Sequence, residues 1–396
     1  MDFAYTPEQE RFRIELRAWL ERKKADGAFA AREHENLDHV VAEGRRWQET
    51  LYEGGWCGIH WPREYGGRSA SLLEQIIFQE ELARAGSPQL INLLALTMVG
   101  PVIIAHGTEE QKKRYLKPIL TAQEIWCQGY SEPGAGSDLA SLSTRAVLDG
   151  DAYRISGQKV WTSYAQYAHF CILLARTDTE VPKHKGITMF IVDMHSPGIE
   201  VRPLKQINGD SEFNEVYLED VRVPRANIVG REGQGWDMAV ALLMHERATL
   251  TFQRQLQSRV ALQDLLVFAR TWDETGAAPA DDPIVRQQVA QAYIDSEAIR
   301  LTALRNLTRQ LRGGQPGPEG SIEKLFWSEM FQRMLWNAVG MLGPYGNLAP
   351  EDPSAPAHGR WPHLMLYSRG RTIAAGTSEI QRGIIAQRVL GMPKDR

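Results

Sequence analysis

The chain reads as an α+β protein in three parts: an N-terminal helical domain (1–123), a middle antiparallel β domain (124–232) and a C-terminal four-helix bundle (233–396). Three observations carry this reading. Apolar residues recur at helical spacing through the first third. Short runs rich in β-branched and aromatic residues take over near Trp126. Long helical periodicity returns after Gly233.

In the first part, Thr6-Pro7-Glu8-Gln9 has the form of a helix cap with proline in the first turn, and Phe12, Leu16, Trp19 and Leu20 follow at helical spacing. Leu72 to Ala85 and Glu109 to Leu120 repeat that character, and Gly54-Gly55, Gly66-Gly67 and Gly86-Ser87-Pro88 mark turns. The middle part predicts strands over Lys159–Tyr164, Phe170–Arg176, Ile187–Met194, Ile199–Leu204 and Asn214–Val223, forming a small antiparallel sheet, sandwich or barrel. The last part predicts four long helices, Trp236 to Ala269, Ile284 to Leu311, Ser321 to Leu342 and Ser378 to Leu390, with loops at 274–283, 313–320 and 343–362.

Composition narrows the function. The chain has 396 residues and a net charge of −4, so nothing in its charge recruits nucleic acid. Cys57, Cys127 and Cys171 are odd in number and far apart, which predicts neither a disulfide framework nor a metal clip and fits a reducing cytoplasm. The longest apolar stretch, Ile91 to Ala105, is short and broken by Asn92, Thr97, Gly100 and Pro101, so no membrane span is expected. The charged N-terminus lacks the apolar region of a secretory signal, and its acidic residues argue against a mitochondrial leader. Gly134-Ala-Gly136 lacks the third glycine of a dinucleotide fingerprint. His34 and His39 stand five apart, wrong for one metal on a helix face, and no P-loop or G-x-S-x-G elbow occurs.

Four segments carry chemistry. Trp126 to Asp138 gathers glycines, Ser131, Ser137 and backbone N–H donors. It reads equally as a cradle for a polar cofactor edge and as a glycine turn between helix and sheet. In Gly157-Gln-Lys-Val-Trp-Thr-Ser163, strand alternation puts Trp161 and Ser163 on one face and Thr162 on the other; an indole beside a hydroxyl suits a flat aromatic ligand, and a core tryptophan is the alternative. On the first bundle helix, Ala239, Leu242, Leu243, Glu246 and Leu250 form one stripe. Glu246 is thus set among apolar positions, where desolvation raises a carboxyl and suits it to proton transfer, unless it pairs with an arginine inside the bundle. Ser378-x-x-Gln381 has the form of a capping box, whose default reading is a capped helix start.

Together and in this order, the segments resemble the acyl-CoA dehydrogenase family. The resemblance runs from Thr6-Pro7-Glu8 through Pro62-Arg-Glu-Tyr-Gly-Gly67 to Ile384-Ile385-Ala386. It is most specific at Tyr130-Ser-Glu-Pro-Gly-Ala-Gly-Ser-Asp138, with support from Lys159-Val-Trp-Thr-Ser163, Val221-Arg-Val-Pro224 and Gly376-Thr-Ser-Glu-Ile-Gln-Arg382. It implies FAD and a homodimer or homotetramer, with a heterotetramer built with a paralogous subunit as a further arrangement among divergent bacterial members. It implies that Gln128, Ser131 and Ser137 line the flavin or the acyl-CoA, that Trp161 and Ser163 stand over the flavin ring, and that Thr377 and Glu379 contact the dinucleotide part. Arg247, Ala375 and Gly376 match positions beside the substrate.

One departure sets the mechanism that the resemblance implies. Many members carry the catalytic glutamate immediately before the last Gly-Thr; here that position is Ala375, which cannot accept a proton. A minority, similar to the isovaleryl-CoA and long-chain enzymes, place the base on the first bundle helix before an arginine, which here is Glu246-Arg247. Glu246 is then expected to take the α-proton of an acyl-CoA while the β-hydride passes to flavin N5, giving the 2-enoyl-CoA. The Ala375 N–H and a ribityl hydroxyl of FAD would hold the carbonyl oxygen. Electrons would leave through an electron-transfer flavoprotein.

Two further departures touch the cofactor. Arg270-Thr-Trp-Asp273 stands where Arg-x-x-Phe-Gly is usual, leaving Arg270 as a candidate pyrophosphate ligand, and Gly340-Met-Leu-Gly343-Pro344 stands for Gln-x-x-Gly-Gly. Two other functions fit the same resemblance: a subunit completing the FAD pocket of a heterotetramer, and a flavin oxidase or monooxygenase.

Overall fold

A computed structural model describes residues 5–29, 36–271, 278–314, 317–350 and 352–393, and the side chains of 243–253 are outside that description. His34, Glu35 and residues 272–277 of the long loop are therefore outside the described residues, as are the side chains of Leu243, Glu246, Arg247 and Leu250.

Five helices open the chain: α1 (Pro7–Ala25), α2 (Leu37–Glu53), α3 (Leu72–Ala85), α4 (Gly100–His106) and α5 (Glu109–Leu120). The Thr6 hydroxyl accepts from Gln9 N–H and the Gln9 side chain answers, so the expected cap is a full capping box; Thr108 and Gln111 repeat it on α5. Phe12, Leu16 and Leu20 are buried, and Trp19 lies against Trp47 and Trp56.

Asn92 explains why the apolar stretch is interrupted. Fully buried, it donates to the carbonyls of Ile119 (3.3 Å) and Glu124 (2.7 Å) and accepts from Trp126 N–H (3.0 Å). Gln48 adds bonds to the carbonyls of Ile119 and Leu120. These two amides satisfy the end of α5 and fix where the first strand starts.

The middle part is one seven-stranded sheet: β1 (Trp126–Gly129), β2 (Arg145–Asp149), β3 (Ala152–Ser163), β4 (Phe170–Arg176), β5 (Ile187–Asp193), β6 (Ile199–Leu204) and β7 (Phe213–Pro224), in the order β1-β4-β2-β3-β7-β6 with β5 on β4. The hairpin neighbours are antiparallel, as expected, but β1 and β2 each meet β4 in parallel, so the sheet is mixed. The cause is connection: β1 and β4 are joined by a long excursion rather than a turn. Tyr153, Ile155, Leu173, Phe190, Val216 and Val221 form the core beneath.

The bundle contains α6 (Gly235–Thr271), α7 (Pro283–Leu311), α8 (Gly320–Met341), α9 (Arg360–Arg371) and α10 (Ser378–Ile384). The bundle core is built by Leu262, Leu265 and Phe268 of α6, Ile299 of α7, Trp327, Met330, Met334 and Leu335 of α8, and Trp361 of α9. Helix α9, not foreseen, thus supplies a wall of the core, while α10 packs on α8 and continues without a break as a π-helical stretch over Ile385–Val389, so the last expected helix is present to within one residue. Contacts divide the chain into two compact units. The first runs through the β domain to Glu246; the second is the bundle from Arg247, together with Ile76–Gly86. Among the described residues, no helix is long and apolar enough to cross a membrane.

Candidate functional site

In the first unit the site is built on the segment that follows β1. Residues Glu132 and Ala135 exchange backbone bonds (3.1 and 3.0 Å), folding Glu-Pro-Gly-Ala into a tight turn, and Val160 N–H donates to Ser131 O (2.9 Å), tying the turn to β3. The anchor is a buried ion pair. Lys159 Nζ donates to Glu132 Oε1 (2.8 Å) and Tyr130 O (3.2 Å), and neither charged side chain reaches solvent appreciably. The Glu132 carboxylate also accepts from Ser143 N–H (2.6 Å), the Ser143 hydroxyl (2.7 Å) and Thr144 N–H (2.8 Å). Burial alone would raise this carboxyl, but the Lys159 charge and these donors outweigh burial and hold it at about 2. Burial, the largest cause, draws the Lys159 ammonium down, and the Glu132 charge and hydrogen bond oppose it.

The predicted residues of this half fall around that anchor. Ser131 and Gln128 are half-buried, whereas Ser137 is exposed. A side chain at Gly134 or Gly136 would touch nothing within 4 Å, so packing inside the chain does not require glycine at either position. Asp138 pairs with Lys183 (2.7 Å) at the surface, and that bond draws its carboxyl down.

Trp161 corrects the expectation of a regular strand. Lys159 pairs with Val216 and Thr162 with Asn214, so β3 carries one extra residue between them. Within the bulge Trp161 takes φ +60°, the left-handed region. Its indole is 60% exposed and edge-on to Phe213 (ring centroids 6.2 Å apart), so the core-tryptophan alternative is excluded. Trp161 and Ser163 remain more exposed than Thr162, as alternation requires. Lys159 and Thr162, three positions apart, are both buried because the bulge switches parity between them.

In the second unit, Ala375 (φ +55°) and Gly376 (φ +89°) form two successive left-handed residues ahead of α10. The helix cap is Thr377, whose hydroxyl accepts from Ile380 N–H (3.2 Å), and not Ser378. Both hydroxyls suit the role; the left-handed pair ends one residue earlier than the sequence pattern implies, which moves the cap by one. Ser378 is buried, and the Gln381 amide, expected to complete the box, instead donates to Ala375 O (3.0 Å) and Gly376 O (3.2 Å). Lys324 of α8, also buried, donates to Gly376 O (2.6 Å). Glu379 is exposed, and its carboxyl is drawn down first by its own N–H and then by the Thr377 hydroxyl. Arg270 is exposed in the last turn of α6. Glu246 and Arg247 lie along α6, where Ala239 and Leu242 of the same stripe are buried.

Sequence reasoning missed Glu132, Lys159, Lys324 and Gln381. The signal for the first two was present: the first motif segment carries two acids, Glu132 and Asp138, and the second a single cation, Lys159. Lys324 had none, because a lysine on a long helix reads as a solvated face.

Family models for the acyl-CoA dehydrogenase N-terminal, middle and C-terminal domains match residues 6–123, 127–221 and 233–390. Acyl-CoA dehydrogenase IpdE1 of Mycobacterium tuberculosis is 39% identical, covering 98% of this chain and 98% of its own. Among solved structures, the Tcur3481-Tcur3483 steroid ACAD is 33% identical with a TM-score of 0.86, covering 100% of both chains. The ChsE4-ChsE5 complex from Mycobacterium tuberculosis is 34% identical with a TM-score of 0.84, again covering 100% of both.

Proposed function

We propose, from the premise that this chain belongs to the acyl-CoA dehydrogenase family of flavin oxidoreductases, that it converts an acyl-CoA thioester to the 2-enoyl-CoA with Glu246 as base. The observation that carries the assignment is the loop at Ala375: a methyl where an acid is usual, with a backbone N–H that has no acceptor among the described residues. A loop that offers a donor and no base requires the base from elsewhere, and Glu246-Arg247 on α6 is the acid that the family pattern provides.

The residues present fit FAD. An indole 60% exposed in a strained bulge is unexplained by packing, and beside Ser163 it suits the face of a flat ring. Trp161 and Ser163 would hold the ring, Gln128, Ser131 and Ser137 its polar edge or the thioester, and Thr377, Glu379 and Arg270 the dinucleotide part. When bound, FAD supplies the hydride acceptor. The chain does the rest. The Ala375 N–H holds the thioester oxygen, stabilising the charge that develops as the α-proton leaves. Ala375 leaves room beside the acyl chain, and the Glu246 carboxylate takes the α-proton.

The likeness to a steroid ACAD supports a bulky polycyclic acyl group as the substrate class, and the methyl of Ala375 leaves volume for one. The likeness to the ChsE4-ChsE5 complex supports assembly with a paralogous subunit, and an electron-transfer flavoprotein completes the proposal as electron acceptor. A cytoplasmic location goes with this reading; all three cysteines are buried free thiols.

The test is anaerobic titration of the purified yellow protein with a panel of straight, branched and steroid acyl-CoA thioesters. The colour bleaches with a substrate, and Glu246→Gln keeps the colour but loses bleaching. Full activity in that variant rejects Glu246 as base. Ala375 also favours a second reading, in which this chain completes the pocket of a paralogue that carries the base. A colourless protein that gains flavin only with a co-expressed partner, and is indifferent to Glu246→Gln, selects it.

A further inference from the structure

The segment Ile373-Ala374-Ala375-Gly376-Thr377 of the second unit is held more firmly than a helix cap needs. Upstream, the N–H groups of Ile373 and Ala374 both donate to Gly370 O at the end of α9 (3.1 and 2.8 Å). Downstream, the carbonyls of the two left-handed residues take three bonds: Gln381 Nε2 donates to Ala375 O and Gly376 O, and Lys324 Nζ donates to Gly376 O. Ala375, bearing a Cβ at φ +55°, is therefore strained between two fixed ends. Ala375 does not donate its own N–H to an acceptor among the described residues. The bonds satisfy carbonyls and leave the Ala375 amide presented.

We infer that Lys324 and Gln381 are positioning residues that aim the Ala375 N–H at the thioester oxygen. The inference rests on the dehydrogenation reading above. A donor toward developing negative charge is effective only if it is oriented before the reaction, because reorienting it during the reaction consumes the stabilisation it would give. An alanine does not hold a left-handed conformation by preference, so the orientation must come from its neighbours. Gln381 fixes the peptide unit after Ala375, and Lys324 and Gln381 together fix the next; the unit before, which carries the Ala375 N–H, is then held by the backbone torsions of Ala375 between these bonds and the Gly370 O bonds upstream. The Lys324 bond is charge-assisted, and it arrives from α8, a helix whose Trp327, Met330 and Met334 are locked in the bundle core. The loop is thereby referred to the rigid part of the bundle rather than to the short α10.

The experiment uses the oxidised holoenzyme and the 1-¹³C-labelled 2-enoyl thioester of whichever panel member the wild type turns over fastest. This product binds without reacting, and the infrared stretch of its labelled carbonyl reports how strongly the oxygen is polarised. In the wild type the band lies below that of the free thioester. In Lys324→Met it moves back toward the free position, kcat falls about 10- to 100-fold, less than for outright loss of an oxyanion donor because the N–H remains but is misaimed, and KM changes by less than about 3-fold. Gln381→Met gives the same pattern. A folded Lys324→Met enzyme with the wild-type band and kcat overturns the inference. If that variant does not fold, Gln381→Met decides by the same two readouts; failure of both to fold assigns the contacts to stability alone and also overturns it. A wild type that neither turns over any thioester nor shifts the band removes the dehydrogenation reading itself, a distinct outcome.

Discussion

Replacing Lys159 by methionine strips the ammonium from a carboxylate that is almost wholly buried. Glu132 is held at about 2 against an ordinary value of 4.5, a difference worth about 3 kcal/mol of stability at neutral pH. Removing one partner of a buried pair costs about 3–5 kcal/mol, because the other charge stays buried and uncompensated. Against a typical total of about 5–15 kcal/mol, the loss is large. The pH dependence has a definite sign. Since the folded value is depressed, the wild-type contribution is complete above pH 4.5 and is lost as pH falls through about 2. In Lys159→Met the Ser143 and Thr144 donors remain, but burial, the largest cause, is no longer opposed by the cation, so the carboxyl moves up and acidification relieves the buried charge. The assay is urea unfolding followed by tryptophan fluorescence at pH 7 and pH 5, with Glu132→Gln and the double variant completing a cycle. The expected result is a loss of about 3–5 kcal/mol at pH 7, a smaller loss at pH 5, and partial recovery in the double variant. A loss below about 1 kcal/mol at pH 7, the range of an exposed pair, refutes the reasoning.

Two other outcomes are expected. Trp161→Gly removes the left-handed strain of a residue with a Cβ, so the melting temperature holds or rises, while the flavin content of the purified protein falls; equal flavin content removes Trp161 from the cofactor site. Ser258→Ala leaves the buried Trp327 indole N–H without its acceptor (2.9 Å), which costs about 1–3 kcal/mol by thermal unfolding, and a neutral result means the indole finds another partner.

Legibility in the sequence followed the range of the interaction. Helices α3 and α5 and strands β4 and β6 begin and end where their periodicity and flanking turn residues put them. Strand β1 was hidden because it has four residues and ends in glycine, and β2 because Val147 and Leu148 face solvent and leave no apolar alternation. Helix α9 was hidden by Pro362 in its first turn and Gly370 in its last, which read as loop. In the candidate site, Trp161 and Ser163 were visible as a local pattern. The bond from Lys159 to Glu132 was not, since 27 positions separate them and only the return of β3 brings them together. The left-handed pair at Ala375 and Gly376 was unreadable for another reason: an alanine carries no mark of the conformation its neighbours impose.

The extra residue in β3 releases one side chain from the ladder's bookkeeping. Val216 and Asn214 stand two apart on β7, so a β3 shortened by one position could still seat Lys159 and Thr162 opposite them, on the same face. What such a shortened strand could no longer do is thrust an indole outward at the insertion. The surplus letter is thus a fitting bolted onto the sheet: the framework would close without it, and only the projection would go.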